Sequence, residues 1–198
     1  MGLKLHLGCG WRDFGKGWVH IDGGNYPHVT SHDITKLPFG DESTEIIYSS
    51  HVLEYFDREE VSKVLNEWRR VLISKGIIRI AVPDFESISN LYSQKKFPLS
   101  SFLGPLYGKM EIGKNGGERG VGIYHKTAYD FQELSSLLVS NGFCNVHKYD
   151  WKTIPPHNSV DDHSQCYLPS KNFVPTPENP FDKHNGFLIS LNVEAEKK

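Results

Sequence analysis

The first 22 residues place the tightest condition on how this chain can fold. Leu3-Lys4-Leu5-His6-Leu7 alternates as a strand does and runs directly into Gly8-Cys9-Gly10. A second apolar strand, Trp18 to Ile21, ends on Asp22. Two residues without Cβ let a backbone turn press against a ligand. A carboxylate at the tip of the neighbouring strand is placed to accept both hydroxyls of a ribose. The order strand, glycine turn, strand, acid therefore predicts a nucleoside site. The same stretch is short, with seven residues between Gly10 and Trp18. A parallel crossover usually takes about a dozen or more, typically with a helix inside it. The connection from Asp22 to Val29 is equally brief. Parallel packing of these strands would shrink two crossover helices to turns and leave one sheet face thinly covered. The expected cover is the segment 95–124, the segment 152–183 or a second copy of the chain, since exposed apolar sheet is a liability.

The rest of the chain reads as alternating strands and helices. Val29 to Ile34 resembles a short third strand carrying Asp33 at its end, and Leu37 to Asp41 a turn. Glu45 to Ser50 is a short apolar run bounded by polar residues, which favours a buried strand. Asp57 and Glu60 form a capping box, followed by Val61, Val64, Leu65, Trp68, Val71 and Leu72 on one helical face. Gly76 is the expected left-handed end of that helix. Ile77 to Val82 is the next strand, and Asp84 to Tyr92 a second helix burying Phe85, Ile88 and Leu91. The segment 95–124 has seven glycines, two prolines and little periodicity, the pattern of a functional or mobile stretch. Thr127 and Asp130 again resemble a capping box, opening a helix that Asn141-Gly142 closes. Phe143 to Trp151 reads as a strand, 152–183 as a proline-rich excursion, and Gly186 to Val193 as a last strand. The alternation predicts one α/β domain over 1–198 with a mainly parallel sheet and an antiparallel final strand.

Bulk properties narrow the partners. The 198 residues carry 22 basic and 24 acidic side chains, so no excess charge argues for nucleic acid or an anionic membrane. No apolar run approaches the roughly 18–20 residues of a membrane span, and the N-terminus lacks the pattern of a signal peptide. Cys9, Cys144 and Cys166 are odd in number without CxxC spacing, which points to a reducing cytoplasm rather than a disulfide framework or a zinc site.

Two cofactors compete for the glycine turn. A dinucleotide fingerprint needs GxGxxG and an acid about 20 residues on. Here Asp13 occupies the third glycine position, and Asp22 lies only twelve residues past Gly10. No GxxxxGK[ST] occurs. S-adenosylmethionine has no pyrophosphate; it needs a tight turn, a ribose acid and an apolar slot. GxG, Asp22 and Asp33 in that order suit it better.

Leu7-Gly8-Cys9-Gly10, Asp22, His32-Asp33-Ile34, Leu37-Pro38-Phe39, Ser49-Ser50-His51-Val52-Leu53-Glu54 and Glu67-Trp68-Arg69-Arg70-Val71-Leu72 resemble the successive motifs of class I SAM-dependent methyltransferases. They are most similar to a small type 11-like subgroup associated with polysaccharide and sugar modification. The resemblance is strong over residues 3–86 and implies a three-layer Rossmann-like sheet. It implies that the backbone of Gly8, Cys9 and Gly10 lies along the methionine part of the cofactor and that Asp22 accepts the ribose hydroxyls. It further implies that Asp33 accepts the adenine amino group with the Ile34 N–H facing the ring, and that Ser49 and Ser50 bound the methionyl end. Tyr55 departs from the pattern, since many relatives carry histidine there.

A sugar hydroxyl has a high pKa and benefits from a general base. The candidates are His51 and Asp84, at the ends of the fourth and fifth strands where ligands collect, and His125, at the exit of the glycine-rich segment. His157, Asp161, Asp162 and His163 are metal-ligand residue types in a spacing that matches no specific site; no metal is assigned. The expected function is methyl transfer from SAM to a small-molecule acceptor, a sugar or glycan-precursor hydroxyl. The alternatives are a nitrogen- or carboxyl-directed methyltransferase, a catalytically inactive SAM-binding partner protein, and an NAD oxidoreductase.

Overall fold

The computed structural model describes residues 2–112, 121–156 and 165–198. In chain order the strands and helices are β1 (Leu3–Leu7), β2 (Val19–Ile21), β3 (Val29–Ser31), β4 (Thr44–Ser50), α1 (Val61–Val71), β5 (Leu72–Pro83), α2 (Phe85–Ser93), α3 (Leu103–Tyr107), β6 (Lys109–Ile112), β7 (Val121–Tyr124), α4 (Phe131–Ser140), β8 (Phe143–Lys148), β9 (Tyr167–Leu168), β10 (Phe187–Leu188) and β11 (Ser190–Lys197). Seven strands form the main sheet in the order β3-β2-β1-β4-β5-β11-β8. Strands β1 to β5 pair in parallel. The final strand runs antiparallel to both its neighbours, β5 and β8. This is the expected Rossmann-like sheet with its antiparallel last strand. No described helix is long and apolar enough to cross a membrane.

Strand alternation sorts the sheet into two faces. Leu5, Leu7, Ile21, Ile47, Ile78, Ile80, Leu191 and Val193 join the main apolar core with Val61, Val64, Leu65 and Trp68 of α1 and Leu134 and Leu138 of α4. The opposite face carries a row of polar residues in register across six strands: His20, His6, Tyr48, Arg79, Glu194 and His147. No helix connects β1 to β2 or β2 to β3, so the missing layer is real. At the β1, β2 and β4 end its cover is local. Phe14, in the β1–β2 connection, stacks on His6 at 4.0 Å between ring centroids, with Trp18 edge-on to Phe14 at 5.2 Å. His6, His20 and Tyr48 are thereby buried. Among the described residues the cover at this end comes from the short crossover itself; 113–120 and 157–164, within the two segments expected to cover it, lie outside the described residues. Further along the row, Arg79 Nε donates to Glu194 Oε2 at 2.6 Å.

Several local expectations change in the tertiary setting. The Asp57 capping box forms: its Oδ1 accepts from the N–H groups of Glu59 and Glu60, and its own N–H donates to Glu60 Oε2. The helix, however, ends at Val71 without a glycine cap. Leu72 already pairs with Thr44, and the ladder resumes at Ile77 opposite Ile46. Residues 73–76 bulge between these pairings, and Lys75, not Gly76, takes the positive φ of 61°. Gly76 is needed for space, since a Cβ there would lie 2.9 Å from the Ile73 carbonyl oxygen. Asp130 alone caps α4, accepting from Glu133 N–H, while Thr127 Oγ1 donates to the Phe56 carbonyl. Phe85 is exposed rather than buried, and β3 ends at Ser31, two residues before Asp33. The stretch 95–124, irregular by sequence, contains α3 and an antiparallel β6–β7 ladder. Phe97, Phe102 and Leu106 from this stretch pack with Ile88, Leu91 and Ile189 in a second apolar cluster.

The turn at 37–41 is held to α1 through Arg70 and Glu67, with Arg70 Nη1 also donating to Asp41 Oδ1 at 2.7 Å. Arg70 Nε and Nη2 donate to the two oxygens of Glu67 at 2.8 Å, and Glu67 Oε1 also accepts from Leu37 N–H. The Arg70 bonds hold the Glu67 carboxyl below its usual range. A folded-state pKa depressed in this way stabilises the fold above the ordinary value of 4.5, and the contribution is lost as pH falls through the depressed folded value. Both side chains are partly exposed, so it amounts to about 1 kcal/mol. Thermal melts from pH 6 down to pH 3 are expected to show a shallower acid limb for Glu67→Gln than for wild type.

Candidate functional site

The C-terminal ends of the parallel strands converge on one edge of the sheet, where open α/β folds bind ligands. The β1 end turns sharply. Gly8 and Gly10 have φ of 69° and 56°, in the left-handed region that glycine occupies without penalty. A Cβ on Gly8 would overlap the Val52 side chain, so the cradle admits only glycine. Asp22 is buried at the β2 end. Its Oδ2 accepts from Gly10 N–H at 2.7 Å and its Oδ1 from Gly24 N–H at 2.6 Å. One carboxylate thus ties the glycine turn to the next loop while each oxygen keeps a further lone pair. His28 Nε2 donates to the Gly10 carbonyl at 3.1 Å, and His32 Nδ1 to the Asp22 carbonyl at 3.0 Å. Cys9 lies inside this knot, where burial and then Asp22 push its thiol up to about 12. It stays protonated at neutral pH and acts as packing. Ile112 of β6 rests above Gly23, 3.4 Å from where a Cβ would stand, which puts the hairpin beside the Asp22 turn.

Asp33 is exposed, and its Oδ1 accepts from both the N–H and the hydroxyl of Thr35, at 2.8 and 2.6 Å. The Thr35 hydroxyl bond leads the causes that hold its carboxyl below the usual range. Ile34 is fixed from behind, since Trp68 Nε1 donates to its carbonyl at 2.8 Å. At the β4 end the hydroxyls of Ser49 and Ser50 are buried, with no hydrogen-bond partner among the described residues.

The three candidate bases separate. Asp84 caps α2: its oxygens accept from Ser87 N–H and from Ser87 Oγ, the latter at 2.7 Å. That carboxylate serves as the cap of the helix. His125 does not swing freely. Its Nδ1 donates to the Pro105 carbonyl at 2.8 Å and its ring packs edge-on to Tyr55 at 4.6 Å. His51 stands at the β4 end with a positive φ of 54°, an uncommon conformation for a residue with a Cβ. Its Nε2 lies 2.9 Å from Ser190 Oγ and its Nδ1 3.1 Å from Glu54 Oε1.

Glu54 and Ser190 were not among the sequence candidates. Glu54 is fully buried, and His125 Nε2 also approaches its Oε1, at 3.9 Å. Its carboxylate lacks aligned hydrogen bonds among the described residues, so the approach to His51 is electrostatic. Burial first, then the Glu54 charge, pushes the Tyr55 phenol up to about 12 and raises Tyr129 as well. An acid inside the apolar run Val52-Leu53-Glu54-Tyr55-Phe56 was a visible signal. Ser190, 139 residues from His51, had none. The group His157, Asp161, Asp162 and His163 lies outside the described residues.

The residues present fit S-adenosylmethionine. A glycine cradle that a Cβ would fill, a buried carboxylate at the β2 end and two orphaned serine hydroxyls at the β4 end line one strand edge. Residues 16–80 match the family model of a methyltransferase domain. No curated protein matches the sequence. Among solved structures, the fold is shared with a SAM-dependent methyltransferase from Methanosarcina mazei, at TM-score 0.54 and 16% identity over 99% of this chain and 92% of that one. The Haloferax volcanii protein in complex with the Trm112 methyltransferase activator aligns at TM-score 0.53 and 14% identity, over 99% and 82%. The 1,6-didemethyltoxoflavin-N1-methyltransferase of Burkholderia thailandensis, with its substrate and S-adenosylhomocysteine bound, aligns at 0.51 and 12%, over 100% and 71%. Over residues 16–80 the chain thus matches a methyltransferase domain, and as a whole it shares the fold of SAM-dependent methyltransferases.

Proposed function

We propose that this chain is a SAM-dependent methyltransferase that acts on a hydroxyl of a small molecule, a sugar or glycan precursor, with His51 as the general base. The carrying observation is the placement of His51 at the β4 end, its ring between a buried carboxylate and a hydroxyl. A small-molecule acceptor is in keeping with the toxoflavin methyltransferase that shares the fold. In this reading the backbone of Gly8, Cys9 and Gly10 and the hydroxyls of Ser49 and Ser50 line the methionine end. Asp22 accepts the ribose hydroxyls, and Asp33 with the Ile34 N–H receives the adenine edge. When bound, S-adenosylmethionine supplies a sulfonium methyl to the acceptor oxygen, the bonding pair stays on sulfur, and the hydroxyl proton must leave to a base.

Calorimetry with S-adenosylhomocysteine and with NAD tests the cofactor; binding of NAD alone would sink the reading. Transfer of labelled methyl to a panel of nucleotide sugars and free sugars tests the acceptor. His51→Ala is expected to lower turnover by about 100-fold or more, the usual worth of a general base, while S-adenosylhomocysteine affinity holds. Tight binding without transfer to any acceptor would favour a binding partner protein instead.

A further inference from the structure

His51 touches two side chains that come from opposite directions. Glu54 reaches Nδ1 from the turn that follows β4, and Ser190 reaches Nε2 from the first position of β11. Ser190 pairs with Pro83 at the C-terminal end of β5, so antiparallel β11 enters the sheet at the ligand edge. All three groups are well buried: Glu54 is 0% and Ser190 3% exposed, and the His51 side chain 12%. A carboxylate 3.1 Å from Nδ1 favours the ring proton on that nitrogen, because the charge has no aligned donor elsewhere among the described residues. Nε2 is then a lone pair, and Ser190 Oγ, 2.9 Å away, donates to it. The backbone of His51 is held as firmly, with its N–H donating to the Ala81 carbonyl at 2.8 Å.

Resting on His51 being the base, we infer that Glu54 and Ser190 are its positioning residues: Glu54 selects the Nδ1–H tautomer, and the Ser190 hydroxyl aims the Nε2 lone pair at the acceptor hydroxyl. This arrangement deepens the acceptor class. A lone pair held against one hydroxyl is the geometry that accepts a proton from another. On binding, the acceptor hydroxyl takes the place of the Ser190 hydroxyl at the single Nε2 lone pair, and its proton passes to Nε2. The resulting imidazolium is balanced by Glu54. An amine acceptor that attacks through its free lone pair has less need of such a base.

The test uses the full chain with ring-¹⁵N histidine, saturated with S-adenosylhomocysteine, and long-range ¹⁵N correlation spectra that report the tautomer of each ring. His51→Gln assigns the signal. Wild type is expected to show His51 as the Nδ1–H tautomer. Glu54→Gln and Ser190→Ala are expected to lose that preference, and Ser190→Thr, which keeps the hydroxyl, to retain it. With the sugar that wild type methylates best, Glu54→Gln and Ser190→Ala lower kcat about 10- to 100-fold, part of a base's full worth, with KM for S-adenosylmethionine unchanged. Calorimetry with S-adenosylhomocysteine confirms that each variant is folded. If the variants bind it and the His51 tautomer is unchanged, or wild-type His51 carries its proton on Nε2, the inference falls and the methyltransferase reading stands. If wild type fails to bind S-adenosylhomocysteine, both fall together.

Discussion

Replacing Asp22 with alanine is expected to weaken S-adenosylhomocysteine binding by about 100-fold or more, measured by calorimetry. The proposed contacts are two hydroxyls on one carboxylate. A hydrogen bond to a charged group contributes about 1.5–3 kcal/mol, and each 1.4 kcal/mol is roughly tenfold in affinity. A second loss adds to this. Both Asp22 oxygens already accept backbone N–H groups, from Gly10 at 2.7 Å and Gly24 at 2.6 Å. Alanine leaves those donors without their partner, so the glycine turn itself relaxes. Asp22→Asn separates the two effects, since its amide oxygen preserves one of the backbone bonds. Asp33→Ala is expected to cost about tenfold or less: Asp33 is exposed and one of its oxygens already serves Thr35, so a single solvated hydrogen bond of about 1 kcal/mol is at stake. Equal losses at Asp22 and Asp33 would contradict this ranking.

The largest effect on stability is expected at Trp68. Its side chain is fully buried in the core between α1 and the sheet, and its Nε1 donates to the Ile34 carbonyl at 2.8 Å. Truncating a buried aromatic to alanine costs about 3–5 kcal/mol through lost burial and the cavity left behind. Against a typical total of about 5–15 kcal/mol, Trp68→Ala removes a large share and lowers Tm by roughly 10 °C or more for a chain of this size. Trp68→Phe keeps most of the ring but leaves the Ile34 carbonyl without its donor, and is expected to cost about 1–3 kcal/mol. Because that carbonyl anchors the Asp33-Ile34 turn, Trp68→Phe should also weaken S-adenosylhomocysteine binding while the protein stays folded. Denaturant melts and calorimetry on the same samples check both results.

Much of the proposed cofactor edge was legible in its local geometry because its parts are close in sequence. Gly8, Gly10 and Asp22 fall within fifteen residues, and the bond from Gly10 to Asp22 spans twelve positions. The capping box at Asp57 and the buried face of α1 were readable for the same reason, since both are settled within one or two helical turns. The errors arose where long-range pairing overruled local preference. Leu72 continues the apolar face of α1 in sequence, yet its pairing with Thr44 draws it into β5, and the glycine cap expected at Gly76 becomes a bulge. Asp84, by contrast, lies where it was read, just past the end of β5, and its bonds to Ser87 are local. The helix and hairpin of 95–124 gave no periodic signal because their elements are short and much of their apolar surface is exposed.

By itself the sequence determined the geometry of the β1–β2 edge: a strand, a glycine turn, and an acid at the tip of the next strand, all specified by neighbours along the chain. It also determined that the first crossovers hold no helix, because chain length alone forbids one. Only the tertiary structure decided how Phe14 and Trp18 fold back over His6, and which side chains His51 meets. The physical reason is the antiparallel entry of β11. It carries Ser190 across 139 residues to within 2.9 Å of His51, a contact that no local propensity encodes and that sheet order alone creates.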